Sequence, residues 1–197
     1  VGGILAKGAV PIVLGGDHSI TYPVLKAFAR HHKPLDVLHF DAHPDLYEDL
    51  YGDRLSHACP FARVLEDGLA AGVVQVGVRA VTAAHRAKAL KHAVRMVEMK
   101  DILDPLHLRF ANPVYISFDL DALDPAFAPG VSHHEPGGLT TRQAVQVIQA
   151  LKGRIVGLDI VELNAARDLS GITAAAAFKI IKETAGRMAR PSRGEEP

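Results

Sequence analysis

The chain has 197 residues, 48 % of them apolar and 22 % charged, and its 22 basic and 22 acidic side chains leave a net charge of zero. That is the composition of one ordinary globular domain. No basic cluster stands out, so a nucleic-acid partner is not expected. No apolar run approaches the roughly 18 residues of a bilayer span, so a membrane is not expected either. The single cysteine, Cys59, allows no internal disulfide and fits a reducing compartment. No secretory signal is read at the start of the chain, and a cytoplasmic location is expected.

In chain order, a helix-like segment at 1–8 is followed by a predicted strand near 10–14, a helix near 20–32 and a strand near 36–40. A helix is predicted near 58–67, a strand near 73–78, a helix near 82–93, and strands near 94–98 and 113–118. A helix near 140–151, a strand near 154–160 and a helix near 172–189 complete the pattern. The helix near 140 has a clear start signal, with Thr140 or Thr141 as cap and Gln143 placed to close a capping box. Most of the strands are short, continuous β-branched runs, the pattern of strands buried on both faces. Strands alternating with helices predict one three-layer α/β/α domain over 1–189 with a mainly parallel sheet. The tail 190–197 reads as disordered.

Three of these strands run directly into potential metal ligands. Val37-Leu38-His39-Phe40 leads into Asp41-Ala42-His43-Pro44-Asp45, and Val10-Pro11-Ile12-Val13-Leu14 into Gly15-Gly16-Asp17-His18. Val114-Tyr115-Ile116-Ser117-Phe118 leads into Asp119-Leu120-Asp121-Ala122-Leu123-Asp124. In a parallel sheet the carboxyl ends of the strands share one edge, so ligands after separate strands meet in one crevice. Asp41, Asp45, Asp119 and Asp121 crowded together would resist ionising without cations. With His18 and His43 added, the set suits two divalent ions bridged by carboxylates. Oxygen-rich ligation with some imidazole and no thiolate favours manganese over magnesium, iron or zinc.

Gly15-Gly16-Asp17-His18-Ser19, Asp41 to Asp45, Ser117 to Pro125 and Asp159-Ile160-Val161-Glu162 resemble the signature segments of the ureohydrolase family, which contains arginases and agmatinases. The likeness runs from about Val10 to about Ala185. Ser56-His57-Ala58-Cys59-Pro60 and Ala126 to Leu139 are most similar to plant-type arginases and their bacterial relatives.

The resemblance implies that His18, Asp41, Asp45 and Asp119 hold one manganese and Asp41, His43, Asp119 and Asp121 the other. Two manganese ions per chain are thus expected, bridged by Asp41 and Asp119, with Asp17 and Asp124 orienting ligands from behind. It further implies that Glu162 contacts a guanidinium group and that His57 shuttles protons. The paired His133 and His134 are expected near the mouth of the site, while His39 and His85 read as surface or core residues. The expected reaction is hydrolysis of a small guanidino substrate to urea and an amine, with L-arginine first, agmatine second, and guanidinobutyrate or formimidoylglutamate open within the same chemistry. Family likeness also implies a homo-oligomer. Two other classes stay open, a metal-dependent deacetylase or phosphatase and a non-catalytic homologue.

Two departures from the family stand out. The stretch before Gly-Gly-Asp-His is short, so the family's amino-terminal part is expected to be missing and a sheet edge to be exposed. Thr82 stands where animal-type arginases carry an acidic residue for the α-amino group.

Overall fold

The computed structural model describes residues 1–102 and 106–189. The predicted tail at 190–197 lies outside the described residues. Six strands form one parallel sheet: β1 (Ile12–Leu14), β2 (Asp36–Phe40), β3 (Gly72–Val78), β4 (Arg95–Glu98), β5 (Val114–Asp119) and β6 (Ile155–Val161). Their spatial order is β1-β6-β5-β2-β3-β4. The helices are α1 (Gly2–Leu5), α2 (Thr21–His31), α3 (Pro60–Glu66), α4 (Ala83–Lys91), α5 (Thr141–Ala150) and α6 (Ile172–Met188).

Successive side chains of a strand point to opposite faces, and here each face is covered. Leu38, Phe40, Ile116, Phe118, Leu158 and Ile160 share a core with residues of α5 and α6. Val37, Tyr115 and Val156, one position out of phase, share the other core with residues of α2 and α3. The central strands β2, β5 and β6 are therefore buried along their whole length. That double burial explains their lack of hydrophobic alternation. The edge strand β1 leaves Ile12 and Leu14 exposed.

Capping agrees with the sequence at α5. The Thr140 hydroxyl accepts from the Gln143 backbone N–H, and the Gln143 side chain accepts in return from the Thr140 N–H. A similar box, unforeseen because it uses a histidine, starts α4, where Thr82 accepts from the His85 N–H and the His85 ring accepts from the Thr82 N–H.

The strand order carries the functional consequence. From β2 the chain moves outward to β3 and β4, then returns to β5 on the other side of β2 and continues to β6. The winding direction thus reverses between β2 and β5, and crevices of open α/β sheets form at such a reversal. Phe40 and Phe118 are register partners with ring centroids 4.9 Å apart. Fully burying each ring contributes about 1.5–3 kcal/mol, so the two strand ends are held side by side. Asp41 and Asp119 are the next residues on the two strands.

Candidate metal centre

Every ligand expected from the sequence arrives at this one place. The Nδ1 atom of His18 lies 3.2 Å from Asp41 Oδ2, 3.1 Å from Asp45 Oδ2 and 3.2 Å from Asp119 Oδ2. His43 Nδ1 lies 3.0 Å from Asp121 Oδ2 and 3.4 Å from Asp41 Oδ1. One oxygen of Asp41 therefore faces each histidine. The Asp119 Oδ1 atom accepts from the Asp121 N–H at 2.8 Å, which closes the turn carrying both aspartates.

His18 tests whether a cation fits. It is 1 % exposed, and its Nδ1 makes no hydrogen bond despite three carboxylate oxygens close by. Its Nε2 faces the Ser117 hydroxyl at 2.9 Å, and Ser117 donates onward to Asp159 Oδ1 at 2.7 Å. With the hydroxyl proton committed to Asp159, Ser117 accepts from Nε2–H, which leaves Nδ1 as the lone-pair atom. A buried lone pair among three carboxylate oxygens is the donor set of a hard, divalent cation. Asp159 itself also accepts from Tyr115 and Thr21, so it is fully occupied as a support.

The electrostatics agree. Burial and the charge of Asp41 push Asp45 up to about 7. Burial, Asp121 and Asp41 raise Asp119, and burial and Asp41 raise Asp121. Burial alone would lower the two histidines. Neighbouring carboxylates reverse this, raising His18 and taking His43 up to about 12. Carboxylates packed this closely resist ionising together, and a divalent cation among them relieves that repulsion.

Glu162 follows β6 and occupies the left-handed region at φ 67°. For a residue with a side chain that conformation costs on the order of 1–2 kcal/mol, and it is retained where function needs it. Its backbone N–H donates to Gly16 O at 2.9 Å, and its Oε1 accepts from the His18 N–H at 2.8 Å. Asp45, at φ 52°, is a second left-handed position.

His57 stacks on His133 at 5.7 Å, and His133 meets the His43 ring at 6.1 Å. The expected proton shuttle is thus joined to the cluster by a file of rings. His134 points elsewhere, to Pro129 O. Asp17 caps the turn that carries His18 by accepting from Ser19, and Asp124 accepts from the N–H groups of Ala126, Gly137 and Gly138. Both carboxylates hold loop backbone around the site.

Two supports escaped the sequence reading. Arg79 donates to the carbonyls of Gly77, Asp121, Ala122 and Glu135, tying the β3, β5 and mouth segments together. Gly77 precedes it at φ 101°, and a side chain there would meet the Asp41 carbonyl at 3.1 Å. His39, expected as a plain surface or core residue, is fully buried with Nε2 2.7 Å from Asp41 Oδ2. The available signal was a lone polar residue inside an apolar strand.

A buried His/Asp cluster at the switch point of a three-layer parallel α/β sheet defines a metal-centre fold of the arginase type. Residues 1–186 match the family described as Arginase family, and the chain belongs to that family. It is 49 % identical over 189 residues to the mitochondrial arginase of Medicago truncatula, covering 91 % of this chain and 56 % of that protein. It is 40 % identical over 185 residues to the mitochondrial agmatinase of Gallus gallus, covering 87 % of this chain and 54 % of that protein. A solved arginase structure from M. truncatula superposes with a TM-score of 0.87 at 47 % identity, covering 91 % of this chain and 60 % of that one. The chain spans about half the length of the curated relatives it matches.

The comparisons correct one expectation. The cytoplasmic location expected from the lone cysteine and the lack of a readable secretory signal is not supported, because the similar arginases of M. truncatula, Arabidopsis thaliana and Oryza sativa are named mitochondrial, one of them chloroplastic/mitochondrial. A reducing interior does not distinguish the cytoplasm from such compartments. Among the described residues, no helix is long and apolar enough to cross a membrane.

Proposed function

We propose that this chain carries the active centre of a binuclear manganese ureohydrolase that converts L-arginine to L-ornithine and urea. The observation that carries the reading is His18 Nδ1, buried and without a hydrogen bond among three carboxylate oxygens. His18, Asp41, Asp45 and Asp119 would hold one ion, and Asp41, His43, Asp119 and Asp121 the other. Two ions suit four clustered carboxylates by charge. When bound, the pair supplies Lewis acidity and lowers the pKa of water at the site.

The protein's own groups do the rest. Glu162, tethered by the His18 N–H, presents a carboxylate that can pair with a planar guanidinium and fix its plane. Holding that carbon against the attacking water converts a bimolecular encounter into a positioned one. As the C–N bond to the leaving amine breaks, His57 passes a proton to that nitrogen as a general acid. Asp17 and Asp124 keep the ligand-bearing loops in place. The family's homo-oligomeric assembly is proposed for this chain on likeness alone.

Agmatine to putrescine and urea is the second reading, favoured by Thr82. Its hydroxyl caps α4 and bears no charge for an α-ammonium. The experiment that tests the function is urea release after manganese loading, measured over arginine, agmatine and shorter guanidino acids.

A further inference from the structure

Beneath the ligand carboxylates a row of polar side chains crosses an otherwise apolar sheet. Gln75, His39, Ser117 and Asp159 are successive register partners on β3, β2, β5 and β6, and all four are fully buried. Polar groups in such a place are costly unless hydrogen-bonded, so each needs a reason. Ser117 and Asp159 have one, since they orient His18. Gln75 and His39 form the other half of the row.

Their hydrogen bonds leave one consistent proton assignment. The Gln75 amide nitrogen lies 2.7 Å from the Pro44 carbonyl oxygen, which can only accept, so that end of the side chain is the NH2. The same nitrogen lies 3.0 Å from His39 Nδ1, which must therefore accept. Gln75 keeps this orientation although its Oε1 is left buried without a partner. The His39 proton then sits on Nε2, which donates to Asp41 Oδ2 at 2.7 Å. Phe61 stacks on the His39 ring at 3.8 Å with an interplanar angle of 22°, so the ring cannot turn away.

Among the described residues, Asp41 belongs to both compact His/Asp clusters, one with His18, His39 and Asp45 and the other with His43 and Asp121. We propose that His39, with its tautomer set by Gln75, is a positioning residue that orients the Asp41 carboxylate for both metal sites. The inference rests on the metal-centre reading above. Hydrogen-bond partners standing behind metal ligands are commonly worth 10–100-fold in metal affinity. His39 acts on a shared ligand, so its loss weakens both ions together.

The test is titration of manganese into the metal-stripped chain, with thermal unfolding of the metal-free form recorded alongside. His39→Phe keeps a ring on Phe61 but removes the donor, and its affinity is expected to fall by about 10–100-fold. His39→Gln restores an N–H near the Nε2 position and is expected to recover most of that loss. Gln75→Met, which frees the tautomer, is expected to weaken binding in the same direction, and it decides the matter if His39→Phe does not fold. Unchanged affinity in His39→Phe would overturn the proposal. Equal losses in His39→Phe and His39→Gln, matched by a lower metal-free Tm, would overturn it in favour of simple packing. A wild-type chain that takes up no manganese would instead overturn the metal-centre reading itself.

Discussion

The backbone N–H of His18 donates to the Glu162 carboxylate at 2.8 Å, across 144 residues of sequence. The first candidate ligand and the proposed guanidinium contact are thereby locked to one geometry. This bond joins the turn after β1 to the end of β6, whose register is Leu14 against Ile160. A left-handed Glu162 aims its side chain back at that turn.

Glu162→Gln is expected to keep the tether to His18 through its amide oxygen but to lose the charge facing a guanidinium. A charged hydrogen bond is worth about 1.5–3 kcal/mol, so kcat/KM should fall by roughly 10–150-fold. The loss should be similar for arginine and agmatine, because both carry the group that Glu162 contacts. Equal kinetics in the variant would remove Glu162 from the site.

His57→Ala is expected to lower kcat by about 10²–10⁴-fold. Manganese content should stay unchanged, because His57 stands behind His133, which meets the His43 ring, and is not itself among the candidate ligands. Loss of metal along with activity would instead make His57 a structural member of the centre.

Metal binding should depend on pH in a definite direction. Asp45 is raised to about 7 against an ordinary 3.8, so its contribution favours the fold in acid and is lost as pH rises from about 4 through about 7. His18 and His43 are raised as well, so their contributions are present below 6.5 and decline at higher pH, for His43 through about 12. Asp41 is lowered, and its contribution is lost only as pH falls below 3.8. The chelated protein should therefore lose Tm between pH 5 and pH 8, and the Tm gain on adding manganese should grow over the same interval. Unfolding scans with chelator and with manganese check this, and a pH-independent gain would count against His18, Asp41, His43 and Asp45 as ligands.

Much of this was legible in the sequence, for a physical reason. Strands buried on both faces must be continuous apolar runs, so β2, β5 and β6 announced themselves, and the candidate ligands at the ends of β2 and β5 stood out against them. The polar row did not, because His39, Gln75 and Ser117 are single residues whose partners lie on other strands. Only the register between β2, β3 and β5 brings them together. The capping box of α4 was missed because His85 replaces the usual Glu or Gln. Arg79 was passed over because its partners are backbone carbonyls, which leave no trace in side-chain identity.

The proposed substrate range rests on Thr82. With its hydroxyl engaged as a helix cap, Thr82 offers the amino-acid head of arginine no charge, and a neutral contact binds more weakly than a charge-assisted pair. Loose selection is expected, with agmatine hydrolysis detectable beside arginine hydrolysis. The comparison is kcat/KM at saturating manganese. A preference for arginine above about 10⁴-fold would reveal a dedicated head-group site, since rejection that strong requires buried polar groups left unpaired.

Manganese bound per chain, measured after loading and removal of free metal, tests the central claim most directly when wild type is compared with Asp41→Asn. The account predicts a value near two for the wild-type chain and a loss from both sites in the variant, because Asp41 Oδ2 faces His18 and Oδ1 faces His43. A wild-type chain that retains no manganese, or an Asp41→Asn chain that retains the full amount, would contradict it.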